Sequence, residues 1–179
     1  PMCGIAGLIH RGKSSDIGSE LTAMLQSLKH RGPDSTGFAL YGNPCEGEHV
    51  LRFKVAEQED MRKGFQIHDQ VKERKAEVDR RLDELGARKV QEDDATEYAY
   101  RYLISYHGDM KKLADYVEDV EGAEILSIGN ALELVKDLGD ATTVSDQYEL
   151  GTFQGTHAIG HTRMATESDV DIRSAHPYW

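Results

Sequence analysis

Apolar residues recur along the chain at two spacings, and these spacings predict strands and helices in turn. The stretch Cys3 to Ile9 (CGIAGLI) is continuously small and apolar, as in a buried strand. Apolar residues then recur at helical spacing from Ile17 to Leu28, behind a cap at Ser15 or Asp16. This helix should end near Lys29-His30, because the Gly-Pro pair that follows cannot continue it.

The next segments predict two strands and a charged helical region. Thr36 to Tyr41 (TGFALY) is apolar throughout, and His49 to Val55 (HVLRFKV) alternates apolar with polar residues. Between Glu57 and Glu92 charged residues dominate, while apolar residues recur at roughly helical intervals from Phe65 to Leu85. We expect one or two solvated helices there, with an exposed charged face rather than chemistry.

A β-α-β unit is predicted in the second half of the chain. Tyrosines and Ile104 alternate from Tyr98 to Tyr106, a helix follows from Asp109 to Gly122, and Ala123 to Ile128 is a short apolar run. The tyrosines could also stack on the bases of a nucleic acid, but the acidic composition favours the interpretation that they form a packed sheet face.

The last predicted elements lie between Leu132 and Ser168. Leu132 to Leu138 predicts a short helix that ends at Gly139, and Asp140 to Leu150 predicts a cap and turn that lead into another helical piece. The segment from Thr156 to Ser168 alternates in its first half, which indicates a strand.

Composition narrows the class of protein. The 179 residues contain 39% hydrophobic and 30% charged residues and carry a formal net charge of −11, which suits one soluble domain. An acidic balance argues against binding to nucleic acid or to anionic membranes. The sequence has no bilayer-length apolar run and no signal-like start, so we expect a cytoplasmic protein. The two cysteines, Cys3 and Cys45, do not make a disulfide framework.

Three segments carry candidate chemistry. Cys3 stands among glycines that would allow close approach of a substrate, and a free α-amine is a base with a pKa near neutrality. A buried structural cysteine is the alternative. Arg31 to Ser35 (RGPDS) reads as a turn with an internal Arg/Asp pair. In His161 to Thr166 (HTRMAT), an arginine and a threonine at a strand end fit a carboxylate clamp, although such an arginine is often only solvated.

Taken together, MCGIAG, HRGPDSTG and GHTRMAT resemble, in order, the motifs of the class II glutamine amidotransferase domain of the N-terminal nucleophile hydrolases. The extended form GTHAIGHTRMATES with AHP is most similar to the subgroup of glutamate synthase and N-methylglutamate synthase amidotransferase subunits. The resemblance implies an α+β fold, an αββα four-layer sandwich. Residues 1–179 would be its N-terminal part, incomplete at the C-terminus, and residues 57–122 a helical and βαβ insertion without a family motif.

The resemblance also implies roles for individual residues. Cys3 matches the nucleophile that attacks the side-chain amide of L-glutamine, forms a γ-glutamyl thioester and releases ammonia before water yields glutamate. Arg163 matches the arginine that binds the substrate α-carboxylate, and Met164, through its backbone, and Thr166 complete that grip. The turn that braces the nucleophile loop matches Arg31, Gly32 and Asp34.

The sequence departs from the family pattern in three places. Pro1 and Met2 precede Cys3, so the α-amine is free only after both are removed. The family's Asn-Gly oxyanion pair is absent, because neither Asn43 nor Asn130 is followed by glycine. We therefore expect a truncated chain, a split gene or a second polypeptide that supplies the rest. Glu167 stands where many relatives outside the subgroup have histidine.

The implied partner is a synthase subunit that receives the ammonia. Flavin and iron-sulfur centres would lie in that partner, because this chain has no CxxC cluster and no GxGxxG. His68 and His107 are too isolated to indicate a metal. An incomplete sandwich would expose sheet edges, which favours a hetero- or homo-oligomer. The alternative function is a non-catalytic regulatory or interaction subunit that keeps the fold.

Overall fold

The computed structural model describes residues 3–28 and 35–163, and the chain divides into two compact units. Unit 1 comprises Pro1–Pro44 and Ala131–Trp179, and unit 2 is the intervening Cys45–Asn130. The described residues form a mixed α+β structure with two antiparallel sheets and four α-helices. The α+β class predicted from the sequence agrees with this content, and the four-layer arrangement stays a prediction.

The described part of unit 1 is a four-stranded antiparallel sheet with two α-helices. The strands lie in the order β1-β8-β2-β7, so the first and last of the described strands pair directly. The elements are β1 Gly4–Ile9, α1 Ile17–Ser27, β2 Ser35–Gly42, β7 Leu132–Leu138, α4 Ala141–Gln147 and β8 Gly155–Arg163.

Helix α1 covers one face of this sheet. Its apolar stripe, which includes Leu21 and Leu25, is fully buried. Gly160 of β8 accommodates the helix, because a Cβ at this glycine would lie within 2.4 Å of Leu25 Cδ1. Helix α4 is tied to β7 by Tyr148, whose hydroxyl donates a 2.6 Å hydrogen bond to the buried carboxylate of Asp137.

The other face of the sheet is open along β1 and β8. Ile5, Ile9 and Ile159 lie there with 72%, 76% and 50% of their surface exposed. Strand alternation explains the contrast, since Gly4, Ala6 and Leu8 point to the opposite face and are less exposed. This open face carries Cys3 and Arg163, as described below.

Unit 2 has the β-α-β-β-α-β order of the split βαβ, or ferredoxin-like, motif. Its strands lie in the order β4-β5-β3-β6, with every neighbouring pair antiparallel. The elements are β3 Glu48–Lys54, α2 Gln66–Glu84, β4 Arg88–Asp93, β5 Ala99–Ser105, α3 Met110–Glu118 and β6 Glu124–Gly129. The segment predicted as a helical and βαβ insertion falls within this unit.

The core of unit 2 contains an aromatic cluster from the predicted tyrosine strand. Phe53 packs edge-on against Tyr102, with 5.0 Å between the ring centroids, and both are fully buried. The Tyr102 hydroxyl donates a 2.7 Å hydrogen bond to Asp79 of α2. Burial, and then this hydrogen bond, raise the pKa of Tyr102 far above its ordinary value.

Two sequence predictions about secondary structure are wrong. Leu132–Leu138 forms strand β7, paired with β2, rather than a short helix. Its leucines at 132, 134 and 138 fit a period of two, and pairing with β2 supplies the hydrogen bonds that a seven-residue helix would lack at its ends. Strand β4, Arg88–Asp93, is exposed and begins inside the region from Glu57 to Glu92 that was predicted as helical.

The other predicted elements agree with the structure in kind, but β1, predicted as a buried strand, alternates between half-buried and exposed residues. Strands form near residues 3–9, 36–41, 49–55, 98–106, 123–128 and 156–163, and helices form at α1, α2, α3 and α4. Within residues 3–28 and 35–163, no helix is long and apolar enough to cross a lipid bilayer.

Candidate functional site

The N-terminal end of β1 and the C-terminal end of β8 meet at one end of the sheet in unit 1. Gly4 lies opposite Thr162 in the antiparallel ladder, and Cys3 is the residue immediately before β1. Continued by one residue, this register sets Cys3 opposite Arg163 on the same face. The Cys3 thiol is exposed and makes no disulfide.

Cys3 and Arg163 begin a row of neighbouring residues across the sheet, and strand β2 adds a third residue to this row. Ser35, the first residue of β2, lies opposite Arg163 on the other side of β8. Arg163 and Ser35 thus lie on neighbouring strands at one end of the sheet, with Cys3 directly before β1 on the other side of β8, and continued alternation directs the three side chains to the face away from α1. His161, two residues before Arg163, lies on that face and is 8% exposed.

Close packing behind the row fixes its backbone. A Cβ at Gly4 would lie 2.9 Å from the Thr162 hydroxyl oxygen and 3.0 Å from Leu28 Cδ1, so only glycine fits there without a shift. The Thr36 hydroxyl, which points to this covered side, donates a 2.8 Å hydrogen bond to the carbonyl of Gly139. The backbone that carries Cys3 and Arg163 is therefore closely packed on the side that faces α1.

The structure brings together two of the site residues predicted from the sequence, Cys3 and Arg163. The other predicted site residues lie outside the described residues: Arg31, Gly32, Asp34, Met164 and Thr166. The sequence reasoning gave no role to Ser35 or His161, although both stand inside the recognised motifs. The signal for Ser35 is its place directly after Asp34, where the predicted turn meets a predicted buried strand.

Other chemistry-bearing groups belong to other elements of the chain. His68 contacts Glu97 at 2.5 Å in unit 2, and His10 contacts Glu20 at 2.5 Å at the far end of β1. In the part of the chain that the structure describes, no three His, Cys, Asp or Glu side chains gather as metal ligands would. An open cavity of about 740 Å³ beside α2 and α3 is lined mainly by charges of both signs, including Glu84, Lys112 and Asp119.

Two curated proteins are similar to nearly the whole chain. A protein of Methanothermobacter thermautotrophicus, named provisionally as a glutamine amidotransferase, is 35% identical over 182 aligned positions, which cover 99% of this chain and 56% of that protein. The glutamine amidotransferase-like protein GlxB of Rhizobium meliloti is 32% identical over 181 positions, which cover 99% of this chain and 54% of GlxB. These relatives support an amidotransferase family.

The coverage of these alignments adds two facts. Since each spans 99% of this chain, both relatives contain a counterpart of unit 2, so the inserted unit is shared with them. The chain spans about half the length of the curated relatives it matches. No protein-family model matches the chain.

Proposed function

We propose that this protein is a class II glutamine amidotransferase subunit, in which Cys3 converts L-glutamine to glutamate and ammonia. The observation that carries the proposal is the pairing of β1 with β8, which brings Cys3 to the end of the sheet where Arg163 lies. The names of both relatives support glutamine as the substrate. A thiol beside a guanidinium suits a molecule with an amide at one end and a carboxylate at the other.

The substrate would lie along the row of strand ends. Neighbouring strands are about 4.8 Å apart, so Cys3 and Arg163 are close enough to contact opposite ends of one amino acid. The Arg163 guanidinium can hold the α-carboxylate through two parallel N–H donors, with Met164 and Thr166 completing the grip. This leaves the side-chain amide of glutamine against the thiol.

The reaction divides into two acyl-transfer steps. The Cys3 thiolate attacks the amide carbon, and the C–N bond breaks as the α-ammonium of Cys3 returns a proton to the leaving ammonia. The products of this step are a γ-glutamyl thioester and ammonia. Water, losing a proton to the same α-amine, then attacks the thioester carbon, the C–S bond breaks, and glutamate leaves. One residue thus serves as nucleophile and base.

This mechanism sets two requirements. Cys3 must carry a free α-amine, so Pro1 and Met2 must be absent from the active protein. The oxyanion of each tetrahedral intermediate needs hydrogen-bond donors, which we assign to residues outside these 179, since the sequence contains no Asn-Gly pair. Arg31, Gly32 and Asp34 would brace the loop beside the nucleophile.

We further propose the setting in which this reaction occurs. The N-terminal nucleophile hydrolase sandwich would complete the fold, and a glutamate-synthase-like partner subunit in the cytoplasm would receive the ammonia by a sheltered route. Flavin and iron-sulfur centres would belong to that partner. A hetero- or homo-oligomer would cover strand edges that have no neighbour among the described residues, such as that of β1.

The test measures ammonia release from L-glutamine by the full-length protein that begins at Cys3, with and without the partner subunit. Cys3→Ala should reduce the rate to background, whereas Cys45→Ala, which removes the other thiol, should stay within twofold of the wild type. Arg163→Lys should raise the KM for glutamine by one to two orders of magnitude, because an ammonium cannot form the two parallel hydrogen bonds.

Three results would contradict parts of the proposal. Full activity in Cys3→Ala would exclude the nucleophile. Mass spectrometry that finds Met2 retained on active protein would exclude the α-amine as base. If the full-length, correctly processed protein releases no ammonia with its partner present, the non-catalytic alternative replaces the enzymatic one.

A further inference from the structure

Ser35 presents a buried hydroxyl for which the structure supplies no hydrogen bond. Its side chain is fully buried, and among residues 3–28 and 35–163 its Oγ has no hydrogen-bond partner. The next residue behaves in the opposite way, because the equally buried Thr36 donates a 2.8 Å hydrogen bond to the Gly139 carbonyl. Two adjacent hydroxyls on opposite faces of β2 therefore differ in that one is satisfied and the other is not.

An unsatisfied buried hydroxyl works against folding, and native proteins rarely keep one without a reason. Alanine would fit the same position and remove the polar group. Ser35 therefore carries a hydroxyl that the ligand-free fold does not use. Its place in the sheet indicates which group could use it.

Ser35 shares a face with the two residues that carry the proposed chemistry. It lies opposite Arg163 in the β2–β8 ladder, and Cys3 lies on the other side of β8 in the same row. Directly opposed residues in an antiparallel pair have Cα atoms about 4.5–5.5 Å apart, which brings a serine Oγ within reach of the N–H groups of an arginine. A hydroxyl can accept a hydrogen bond from a guanidinium.

We propose that Ser35 is a positioning residue for glutamine: in the substrate-bound state its hydroxyl accepts a hydrogen bond from the Arg163 guanidinium and fixes the fork that binds the α-carboxylate. This inference rests on the proposed function. Arg163 contacts the substrate and Ser35 acts through it, so removal of the hydroxyl weakens substrate binding without removing any reacting group. Such a loss appears in KM rather than in kcat.

The test compares three variants of the full-length, processed protein in glutamine turnover and in thermal unfolding. Ser35→Ala should raise the KM for glutamine about tenfold, equivalent to about 1.4 kcal/mol, with kcat within twofold of the wild type. Its Tm without glutamine should equal or exceed that of the wild type, because no protein hydrogen bond is lost. Ser35→Thr, which keeps a hydroxyl, should restore KM to within threefold.

Thr36→Val is the matched control, one residue away on the same strand. It should lower Tm, since the hydrogen bond to Gly139 is lost, and should leave KM unchanged. An unchanged KM in Ser35→Ala beside an active wild type would overturn the role of Ser35 alone, as would a fall in Tm equal to that of Thr36→Val. Absence of both turnover and a glutamine-dependent Tm shift in the wild type would overturn the proposed function and, with it, this role.

Discussion

Gly4 and Thr162 lie directly opposite one another in the β1–β8 ladder, and a Cβ at Gly4 would lie 2.9 Å from the Thr162 hydroxyl oxygen. Gly4→Ala must therefore displace the Thr162 side chain or shift the strand ends that carry Cys3 and Arg163. We expect a loss of about 1–3 kcal/mol in the free energy of unfolding, as for other overpacked sites. The proposed glutaminase activity should fall at least tenfold, since a small displacement of the proposed nucleophile has a large effect on rate.

Gly7 of the same strand is the matched control for this substitution. A Cβ there would lie 3.4 Å from the Ala158 carbonyl oxygen, an ordinary contact. Gly7→Ala should change the free energy of unfolding by less than about 0.5 kcal/mol and leave activity near that of the wild type. Equal losses in both variants, measured by urea unfolding and ammonia release, would contradict a steric role specific to Gly4.

The hydrogen bond between Tyr148 and Asp137 gives a prediction about the covered side of the sheet. The donor–acceptor distance is 2.6 Å, and the Asp137 side chain is fully buried. Tyr148→Phe removes a donor from a buried carboxylate and should lower the free energy of unfolding by about 1–3 kcal/mol. Tyr116→Phe removes a hydroxyl that donates to the exposed Glu84, so it should lower the free energy of unfolding far less. If urea unfolding shows similar losses of free energy of unfolding in the two variants, burial of the acceptor carboxylate does not determine the cost.

The sequence predicted strands and helices correctly where burial of one face leaves a periodic pattern of apolar residues. The prediction failed where an element is exposed and has no such pattern. Strand β4 is exposed along its whole length and has no apolar alternation, so nothing in Arg88–Asp93 separated it from the charged helix before it. It is held instead by its ladder with β5 and by ion pairs of Lys89 and Glu92. Both kinds of contact depend on tertiary structure, so the local sequence of β4 does not predict them.

The site shows the same division. The motifs single out Cys3 and Arg163 as candidates, but the adjacency of these two residues comes from the pairing of β1 with β8, which joins the two ends of the described chain. A register across that separation cannot be read from either strand alone. The unsatisfied hydroxyl of Ser35 was also invisible, because serine in a turn-like motif reads as a polar loop residue until the fold buries it.

A charge cluster in unit 2 predicts how stability depends on pH. Glu92 bonds Lys75 at 2.8 Å and Lys89 at 2.5 Å. Burial alone would raise the pKa of Glu92, but the hydrogen bonds to both lysines outweigh it and lower that pKa below its ordinary value. A carboxylate whose pKa is lower in the folded protein stabilises the fold at pH values above its unfolded-state pKa of about 4.3. This contribution is lost as the pH falls through the folded-state pKa.

Glu92→Gln should therefore destabilise the protein most near neutral pH, and the difference from the wild type should shrink as pH falls below about 4. Urea unfolding at a series of pH values measures this difference. A double-mutant cycle with Lys89→Gln isolates the pair, and its coupling energy should decrease in high salt. A difference that stays constant from neutral pH to pH 3 would exclude the ion pairs as its source.

Unit 2 should fold without the rest of the chain. It begins and ends at neighbouring points, because the Cys45 N–H donates a 3.0 Å hydrogen bond to the Asn130 carbonyl. Between them the β-α-β-β-α-β order places α2 and α3 over buried residues of β3 and β5, such as Phe53 and Tyr102. We expect the fragment 45–130 to unfold cooperatively in urea, with the helix and strand content of the unit in circular dichroism.

Two substitutions show whether the isolated fragment uses the same core. Leu82 of α2 is 2% exposed, and Leu82→Ala should lower the free energy of unfolding by about 2–5 kcal/mol through the cavity it leaves. Phe65 is larger but 93% exposed, so Phe65→Ala should change it by less than about 0.5 kcal/mol. If the fragment unfolds without a cooperative transition, or if the two variants behave alike, the unit depends on the rest of the protein for its core.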